Sequence, residues 1–188
     1  MKRNNIVFIS LIILSFILSG CAKNHYVVPQ DVDLIPVSQK AAKDLLAHKT
    51  QALPKENLIV VSSFINVDDF KQTSAFGRIV SSQISSAFFK SGYRIKSMEL
   101  PTDSFIKSNN GFLQLTDNAR AEIKKQGAST LVAGIFAPGR VKVYVTIRMI
   151  DIESREVISS TDFSVPMGQD TRALLRSRAT GSNIEVNK

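Results

Sequence analysis

The stretch from Arg140 to Met149 alternates between polar and apolar residues, and this alternation constrains the fold more than any other feature of the chain. The odd positions are Val141, Val143, Val145, Ile147 and Met149, and the even positions are Arg140, Lys142, Tyr144, Thr146 and Arg148. Successive side chains of a strand point to opposite faces, so the stretch predicts a strand with one core face and one wet face. The apolar phase then shifts to Ile150 and Ile152, which predicts a bulge or the end of pairing near Asp151.

Two shorter runs, Leu58 to Ile65 and Thr130 to Phe136, are continuously apolar and indicate strands that are buried on both faces. Between them lie a helical apolar stripe, a strand over residues 93–98 and a second helix over residues 116–126. A last strand covers residues 156–165. This order predicts an α/β fold with a single mixed sheet, β-α-β-α-β-β-β, an additional N-terminal helix, and helices mainly on one face.

The predicted helices have recognisable ends and faces. Ser38 is the expected N-cap of the N-terminal helix, which ends before Pro54, and Thr116 is the expected N-cap of the later helix. In the middle helix the expected core stripe is Phe76, Ile79, Val80, Ile84, Ala87 and Phe88, and the expected wet face is Ser81, Ser82, Ser85 and Ser86. Residues 101–115 are predicted as a loop, and residues 167–188 as a polar tail with a short helix over 172–176.

The first twenty residues have the three parts of an export signal. Lys2 and Arg3 are followed by a largely apolar run, Ile6 to Leu18, and then by small residues. A spanning helix needs about twenty apolar residues, so a cleaved signal is favoured over a permanent transmembrane anchor. The run ends in Leu18-Ser19-Gly20-Cys21, which places the one cysteine of the chain directly after small residues.

This tetrapeptide resembles the lipobox of bacterial lipoproteins. The resemblance implies that the chain is cut before Cys21, with Leu18, Ser19 and Gly20 forming the cleavage site, and that the Cys21 thiol carries lipid. Ala22, rather than aspartate, follows the cysteine, which implies sorting to the outer membrane with the domain facing the periplasm. The alternatives for Cys21 are a buried free thiol or an intermolecular disulfide, because the chain has no second cysteine.

The sequence therefore predicts five segments. They are a signal peptide (1–20), a lipidated tether (21–37), an N-terminal helix (38–54), an α/β domain (55–166) and a polar C-terminal tail (167–188). Cleavage after residue 20 of the 188 leaves 168 residues, which suits one domain, and the loss of Lys2 and Arg3 lowers the formal charge from +8 to +6. The basic residues are spread along the chain, so nucleic acid is not an expected partner.

The sequence contains no recognisable catalytic set. His25 and His48 lack partners at metal-ligand spacing and are interpreted as surface residues. Zinc-protease, phosphate-loop and Gly-x-Ser-x-Gly motifs are absent from the sequence, so we predict no enzyme activity, no cofactor and no metal site. Asp68-Asp69 follows the first buried strand, where ligands of open α/β sheets bind, although a polar loop that caps the next helix is the favoured interpretation.

The polar face of the alternating strand is the best candidate for a contact surface. Arg140, Lys142, Tyr144 and Arg148 form a basic stripe with one aromatic side chain, which suits an acidic partner or a glycan polymer. The alternative is a solvated sheet face without a partner, which is the commoner arrangement in antiparallel sheets.

Three parts of the chain resemble the FlgO family. They are Val61 to Asp68 with Ser74 to Arg78 and the helix that follows, Lys90 to Ile95, and Val143 to Ile158 with its Arg148-Met149-Ile150-Asp151. The resemblance covers Leu58 to Val165 and extends more loosely to TolB N-terminal and CsgG-like domains. One departure is Glu153-Ser154-Arg155, where a Thr-Gly turn is expected.

The resemblance implies a non-enzymatic outer-membrane lipoprotein that supports flagellar assembly, stability or motility. Its expected partners are the outer membrane, through the acyl chains, and basal-body or ring proteins of the flagellum, and a homo-oligomer is left open. The alternative is an envelope binding or secretion-accessory module of the TolB or CsgG type, unrelated to the flagellum.

Overall fold

The computed structural model describes residues 29–68, 73–98, 100, 104–107 and 113–176. The helices in this part of the chain are α1 (Leu34–Ala47), α2 (Ala75–Lys90), α3 (Asp117–Lys125) and α4 (Gln169–Arg176). The strands are β1 (Leu58–Ser62), β2 (Ile65–Asn66), β3 (Arg94–Met98), β4 (Phe105–Lys107), β5 (Leu113–Leu115), β6 (Ala128–Pro138), β7 (Lys142–Asp151) and β8 (Val157–Pro166).

One mixed sheet organises the domain, with its main strands in the order β3-β1-β6-β7-β8. β3, β1 and β6 run parallel, and β7 and β8 continue from β6 as an antiparallel meander. β2 extends the sheet by pairing in parallel with the end of β6. The predicted α/β class, the single mixed sheet and the N-terminal helix are confirmed. The register shift between Met149 and Ile150 is the bulge that the phase change predicted.

The larger core lies between one face of the sheet and the helices α1, α2 and α4. α2 packs on β1, β3 and β6, while α1 contacts α2 and β8, and α4 contacts α2. The apolar positions of β7 that enter this core are Val143, Val145, Ile147 and Met149. They meet fully buried helix residues such as Leu45, Phe76 and Ile84. Burial of this apolar surface is the dominant stabilising contribution to the fold.

A smaller core covers the opposite face, over β1 and β6. Ile123 of α3 packs there against Val60 and Leu131, and Leu115 at the end of β5 lies partly buried beside them. Thr116 caps α3 as predicted, because its side chain accepts a hydrogen bond from the backbone N–H of Ala119 at 3.3 Å. The part of this face that belongs to β7 and β8 is left largely exposed.

Gly77 allows the start of α2 to approach the chain between β1 and β2. A Cβ at this position would overlap the backbone carbonyl oxygen of Phe64 and would lie 3.0 Å from the ring of Phe136. The same carbonyl of Phe64 accepts a hydrogen bond from the hydroxyl of Thr73 at 2.8 Å. Glycine is therefore required for this close packing of helix against strand.

The N-terminal helix begins earlier than predicted, and Ser38 is not its cap. Asp33 is the cap, since its carboxylate accepts a hydrogen bond from the backbone N–H of Ile35 at 2.9 Å. Pro36 fits within the first turn, where its missing N–H loses no intrahelical bond. Ser38 is buried inside α1 and donates its hydroxyl to Oε1 of Gln83 on α2 at 2.8 Å. The prediction was wrong because the sequence pattern does not distinguish a capping serine from a small buried one.

The serines of α2 do not share one wet face. Ser81 and Ser85 are buried, and their hydroxyls donate to the carbonyl oxygens of Arg78 and Ser81, each at 2.9 Å. A serine that bonds its own helix backbone in this way is compatible with burial. Ile79, predicted in the core stripe, is 41% exposed. The buried face of α2 is therefore rotated relative to the face that hydrophobicity predicted.

The predicted loop over residues 101–115 contains two strands. β4 and β5 pair antiparallel with each other and form a separate small sheet. Strands of three residues are too short for an alternating pattern to reveal them in the sequence. In the turn after β7, Arg155 has a φ of +67°, in the left-handed region that favours glycine, which accounts for the Thr-Gly expectation at this turn.

Asp31 ties the start of the described chain to its last helix. Its carboxylate accepts hydrogen bonds from the backbone N–H of Asp170 at 2.8 Å, the N–H of Thr171 at 3.1 Å and the Thr171 hydroxyl at 2.9 Å. A Cβ at Gly168 would overlap this carboxylate. Burial raises the pKa of Asp31. The hydrogen bonds together lower the pKa by more than burial raises it, so the pKa lies below its ordinary value of 3.8. Asp31, which the sequence assigned to the tether, thus contacts the folded domain.

Candidate interaction surface

The predicted site residues fall into two groups. Cys21, the cleavage residues Leu18, Ser19 and Gly20, His25 and Asp69 lie outside the described residues. Arg140, Lys142, Tyr144 and Arg148 are described and lie on or beside β7. Lipid attachment at Cys21 therefore stays a prediction, while the basic stripe can be located in the structure.

Three residues of the predicted stripe share one face of β7. Lys142, Tyr144 and Arg148 occupy even positions, opposite the buried odd positions of the same strand. A strand rises by about 3.3 Å per residue, so Lys142 and Arg148 lie about 20 Å apart along it. Tyr144 lies between them and is 57% exposed. The stripe is thus long enough to contact an extended segment of a partner.

Arg140 is not part of the strand. It lies exposed in the turn between β6 and β7, where the backbone N–H of Gly139 donates to the carbonyl oxygen of Lys142 at 2.8 Å. Val141, predicted on the core side, is 46% exposed in the same turn. The alternation in the sequence extends two residues beyond the strand, and this is why the prediction placed Arg140 on it wrongly.

Residues of β8 complete the exposed face. The register places Ser164 opposite Tyr144, Asp162 opposite Thr146 and Ser160 opposite Arg148. The hydroxyl of Thr146 donates a hydrogen bond to Oδ1 of Asp162. We call this set the open sheet face, and it consists of Lys142, Tyr144, Thr146, Arg148, Ser160, Asp162 and Ser164. It is polar and mixed in charge rather than uniformly basic.

The sequence did not identify the β8 half of this face, although a signal was present. Ser160, Asp162 and Ser164 recur at every second position of the last strand and are all exposed. On the other side, β6 places Ala137 opposite Tyr144 and Ala133 opposite Arg148. The β6 neighbour of Tyr144 is thus a short side chain, and the tyrosine is 57% exposed.

The other candidate residues have local structural roles. Asp68 is exposed, and its backbone N–H donates to the side-chain oxygen of Asn66 at 3.0 Å, which forms a short turn after β2. The cap of α2 is Ser74, which accepts from the backbone N–H of Gly77, so Asp68 does not cap this helix. His48 ends α1, and its Nδ1 lies 2.9 Å from the carbonyl oxygen of Asp44.

The described part of the chain has neither a metal-ligand cluster nor a helix suited to crossing a membrane. Within those ranges, no three His, Cys, Asp or Glu side chains are grouped in a way that could hold a metal ion. None of the described helices combines the length and the apolar character that crossing a membrane requires.

The family model described as FlgO protein matches residues 39–170 of this chain. The chain belongs to the FlgO family. The matched range extends the sequence resemblance at both ends, to most of α1 and to the first residues of α4. It therefore includes both cores and the whole open sheet face.

Solved structures share the fold at low sequence identity. The LpoB C-terminal domain from Salmonella enterica matches with a TM-score of 0.53 and 13% identity, over 73% of this chain and 100% of that domain. The LpoB C-terminal domain from Escherichia coli matches with a TM-score of 0.50 and 12% identity, over 71% and 98%. Identities this low establish the fold alone. Comparison with curated proteins gave no match.

Proposed function

We propose that this FlgO-family chain is a non-enzymatic lipoprotein of the outer membrane that supports flagellar assembly, stability or motility by binding a protein at the flagellar base. Membership of the family carries the proposal. The sequence Leu18-Ser19-Gly20-Cys21 supports it independently, because the family match begins at residue 39 and so does not include this tetrapeptide.

Lipid on Cys21 would be sufficient to hold the domain at a membrane. Each buried methylene contributes about 0.8 kcal/mol, so two or three acyl chains contribute on the order of 20 to 30 kcal/mol. Two chains are enough for stable anchoring, whereas a single chain binds only reversibly. The proposal therefore needs no membrane-spanning segment in the mature chain.

The structure limits how far the domain would lie from such an anchor. Asp31 is hydrogen-bonded to α4, and it lies ten residue steps after Cys21 along the chain. Ten residues reach at most about 35 Å even when fully extended. A partner of the proposed lipoprotein would therefore lie in the layer of periplasm next to the outer membrane.

The open sheet face is the proposed contact surface of this partner. Helices cover the opposite face of the sheet, and α3 with Leu115 at the end of β5 packs on the β1 and β6 part of this one. Tyr144 and Arg148 belong to the residue types that dominate binding energy at protein interfaces. Asp162 beside them adds a charge of the opposite sign, which favours a specific orientation of the partner.

Deletion of the gene tests the flagellar role. We expect the mutant to spread less in soft agar, the wild-type gene to restore spreading, and a tagged wild-type chain to co-purify with isolated basal bodies. Full motility of the mutant together with absence of the chain from basal bodies would contradict the proposal. Capture of envelope proteins without flagellar ones would instead support the binding or secretion-accessory alternative.

The non-enzymatic part of the proposal has its own test. We expect the purified protein to release no soluble fragments from peptidoglycan, because its sequence contains no recognisable nucleophile with an activating base and no metal-ligand set. Turnover of peptidoglycan by protein purified through two different tags, which excludes a contaminating hydrolase, would contradict this part.

A further inference from the structure

A second surface feature lies away from the open sheet face, at the carboxyl ends of β1 and β3. It is a cleft of about 220 Å³ beside the first turns of α2. Ser63 directly follows β1, and Ser97 lies near the end of β3, so the two parallel strands bring both serines to one edge of the sheet. Ligands of open α/β sheets bind in this position, outside the carboxyl ends of the strands.

Arg78 supplies the charge of this cleft. Its Nη1 is buried and, among the described residues, has no hydrogen-bond partner. A guanidinium keeps its positive charge in proteins, so this cleft carries a permanent cation. A buried donor without an acceptor is unfavourable, and an acceptor that enters the cleft would relieve this. The arginine is therefore placed better for binding than for stability.

Four serines line the cleft together with the arginine. Arg78, Ser81 and Ser82 are spaced as neighbours on one face of α2. Ser81 donates to the carbonyl oxygen of Arg78 at 2.9 Å, whereas the hydroxyls of Ser63 and Ser82 make no hydrogen bond with the described residues. No aspartate or glutamate is among the described residues that line the cleft. The cleft thus offers donors and one positive charge.

We propose that this cleft binds the carboxylate of a peptide, either a C-terminal carboxylate or an acidic side chain. The planar fork of a guanidinium matches the two oxygens of a carboxylate, and one such cation balances one negative charge. A phosphate dianion would leave a second charge unbalanced. Val61 and Met98 line the cleft as well and suit a short apolar stem next to the carboxylate. This inference does not rest on the proposed function, because it concerns a different surface.

Arginine side-chain resonances in the full-length chain, purified in detergent, test the proposal. The probes are N-acetyl-alanyl-alanine, its C-terminal amide, N-acetyl-glutamate α-amide and inorganic phosphate. We expect saturable shifts of the Arg78 Nε–Hε signal with the first probe and none with its amide. The glutamate probe distinguishes a side-chain carboxylate from a chain terminus. Phosphate binding as tight as, or tighter than, that of both carboxylate probes would overturn the choice of carboxylate.

Two variants separate a binding role of Arg78 from a structural one. Arg78→Gln should weaken binding of the carboxylate probe about tenfold or more, since a charge-assisted hydrogen bond is lost. Lys90→Gln removes the same charge from the far end of α2, and its affinity should match the wild type. Arg78→Met should be at least as stable as the wild type without ligand, because a buried unpaired donor is removed. Unchanged binding by Arg78→Gln, or destabilisation by Arg78→Met, would overturn the proposal.

Discussion

At the scale of single residues, two residues determine how the ends of helices pack on the rest of the domain. Gly77 lets α2 begin directly against the chain that leaves β1, and Asp31 fastens the start of the domain to α4. Neither role depends on hydrophobicity. Gly77 is needed because the neighbouring backbone leaves no room for a Cβ. Asp31 acts through hydrogen bonds to residues that are distant in the sequence.

Gly77→Ala tests the first of these contacts. The new Cβ would overlap a backbone carbonyl, which cannot rotate away as a side chain can. We expect the free energy of unfolding in urea to fall by about 3 kcal/mol, at the upper end of the cost of overpacking. Ser86→Ala, at an exposed position of the same helix, is the matched control and should change it by less than about 0.5 kcal/mol. Equal stability of the two variants would contradict the close contact.

Asp31→Ala tests the second contact and predicts a pH dependence. The variant loses the carboxylate that caps α4, and we expect a loss of about 1 kcal/mol of unfolding free energy at pH 7. The pKa of Asp31 in the folded protein lies below 3.8, so its stabilising contribution is complete above that pH and declines as the pH falls through the folded value. Urea unfolding at pH 7 and pH 3 measures this, and an equal loss at both would contradict the capping role.

At the scale of elements, periodicity predicted the strands and helices that are long enough to show it. The alternation in β7, the continuous apolar runs of β1 and β6, and the stripe of α2 all correspond to real elements. The sequence did not predict β4 and β5, because a strand of three residues is too short to show an alternating pattern. The sequence did not predict the cap of α4 either, because the capping residue, Asp31, is distant in the sequence and no local pattern reveals it.

The faces of elements were harder to predict than their existence. Ser81 and Ser85 are buried through hydrogen bonds to their own helix, and Arg140 lies in a turn that continues the alternation of β7. The open sheet face needs two strands to be defined, and pairing register cannot be read from either strand alone. The Arg78 cleft likewise needs the ends of two strands and a helix to meet.

Substitutions on the open sheet face test its proposed role in binding. Lys142→Glu combined with Tyr144→Ser removes one basic and one aromatic contact, and we expect less of the tagged chain to co-purify with basal bodies. Lys90→Glu on α2, across the sheet, is the matched charge reversal and should leave recovery unchanged. Thermal unfolding should be nearly the same for all three proteins, because the residues are exposed. Undiminished recovery of the double variant would exclude this face as the docking surface.

At the scale of the whole molecule, the described residues form an α/β domain with one covered and one partly open sheet face. Asp31 is hydrogen-bonded to α4, so an anchor at Cys21 would keep this point of the domain within about 35 Å of the membrane. The family relation concerns the domain, whereas the tetrapeptide at residues 18–21 concerns its attachment. The proposed function needs both the family's domain and its lipid attachment, and the lipid attachment can be measured more directly.

Labelling with radioactive palmitate, followed by membrane fractionation, is therefore the most direct measurement. We expect the wild-type chain to be labelled and to be found with the outer membrane. The Cys21→Ser chain should be unlabelled, should keep its uncleaved signal or be released, and should not reach the outer membrane. An unlabelled wild-type chain, or a Cys21→Ser chain that is matured at the same position and sediments with the outer membrane like the wild type, would contradict the lipid anchor.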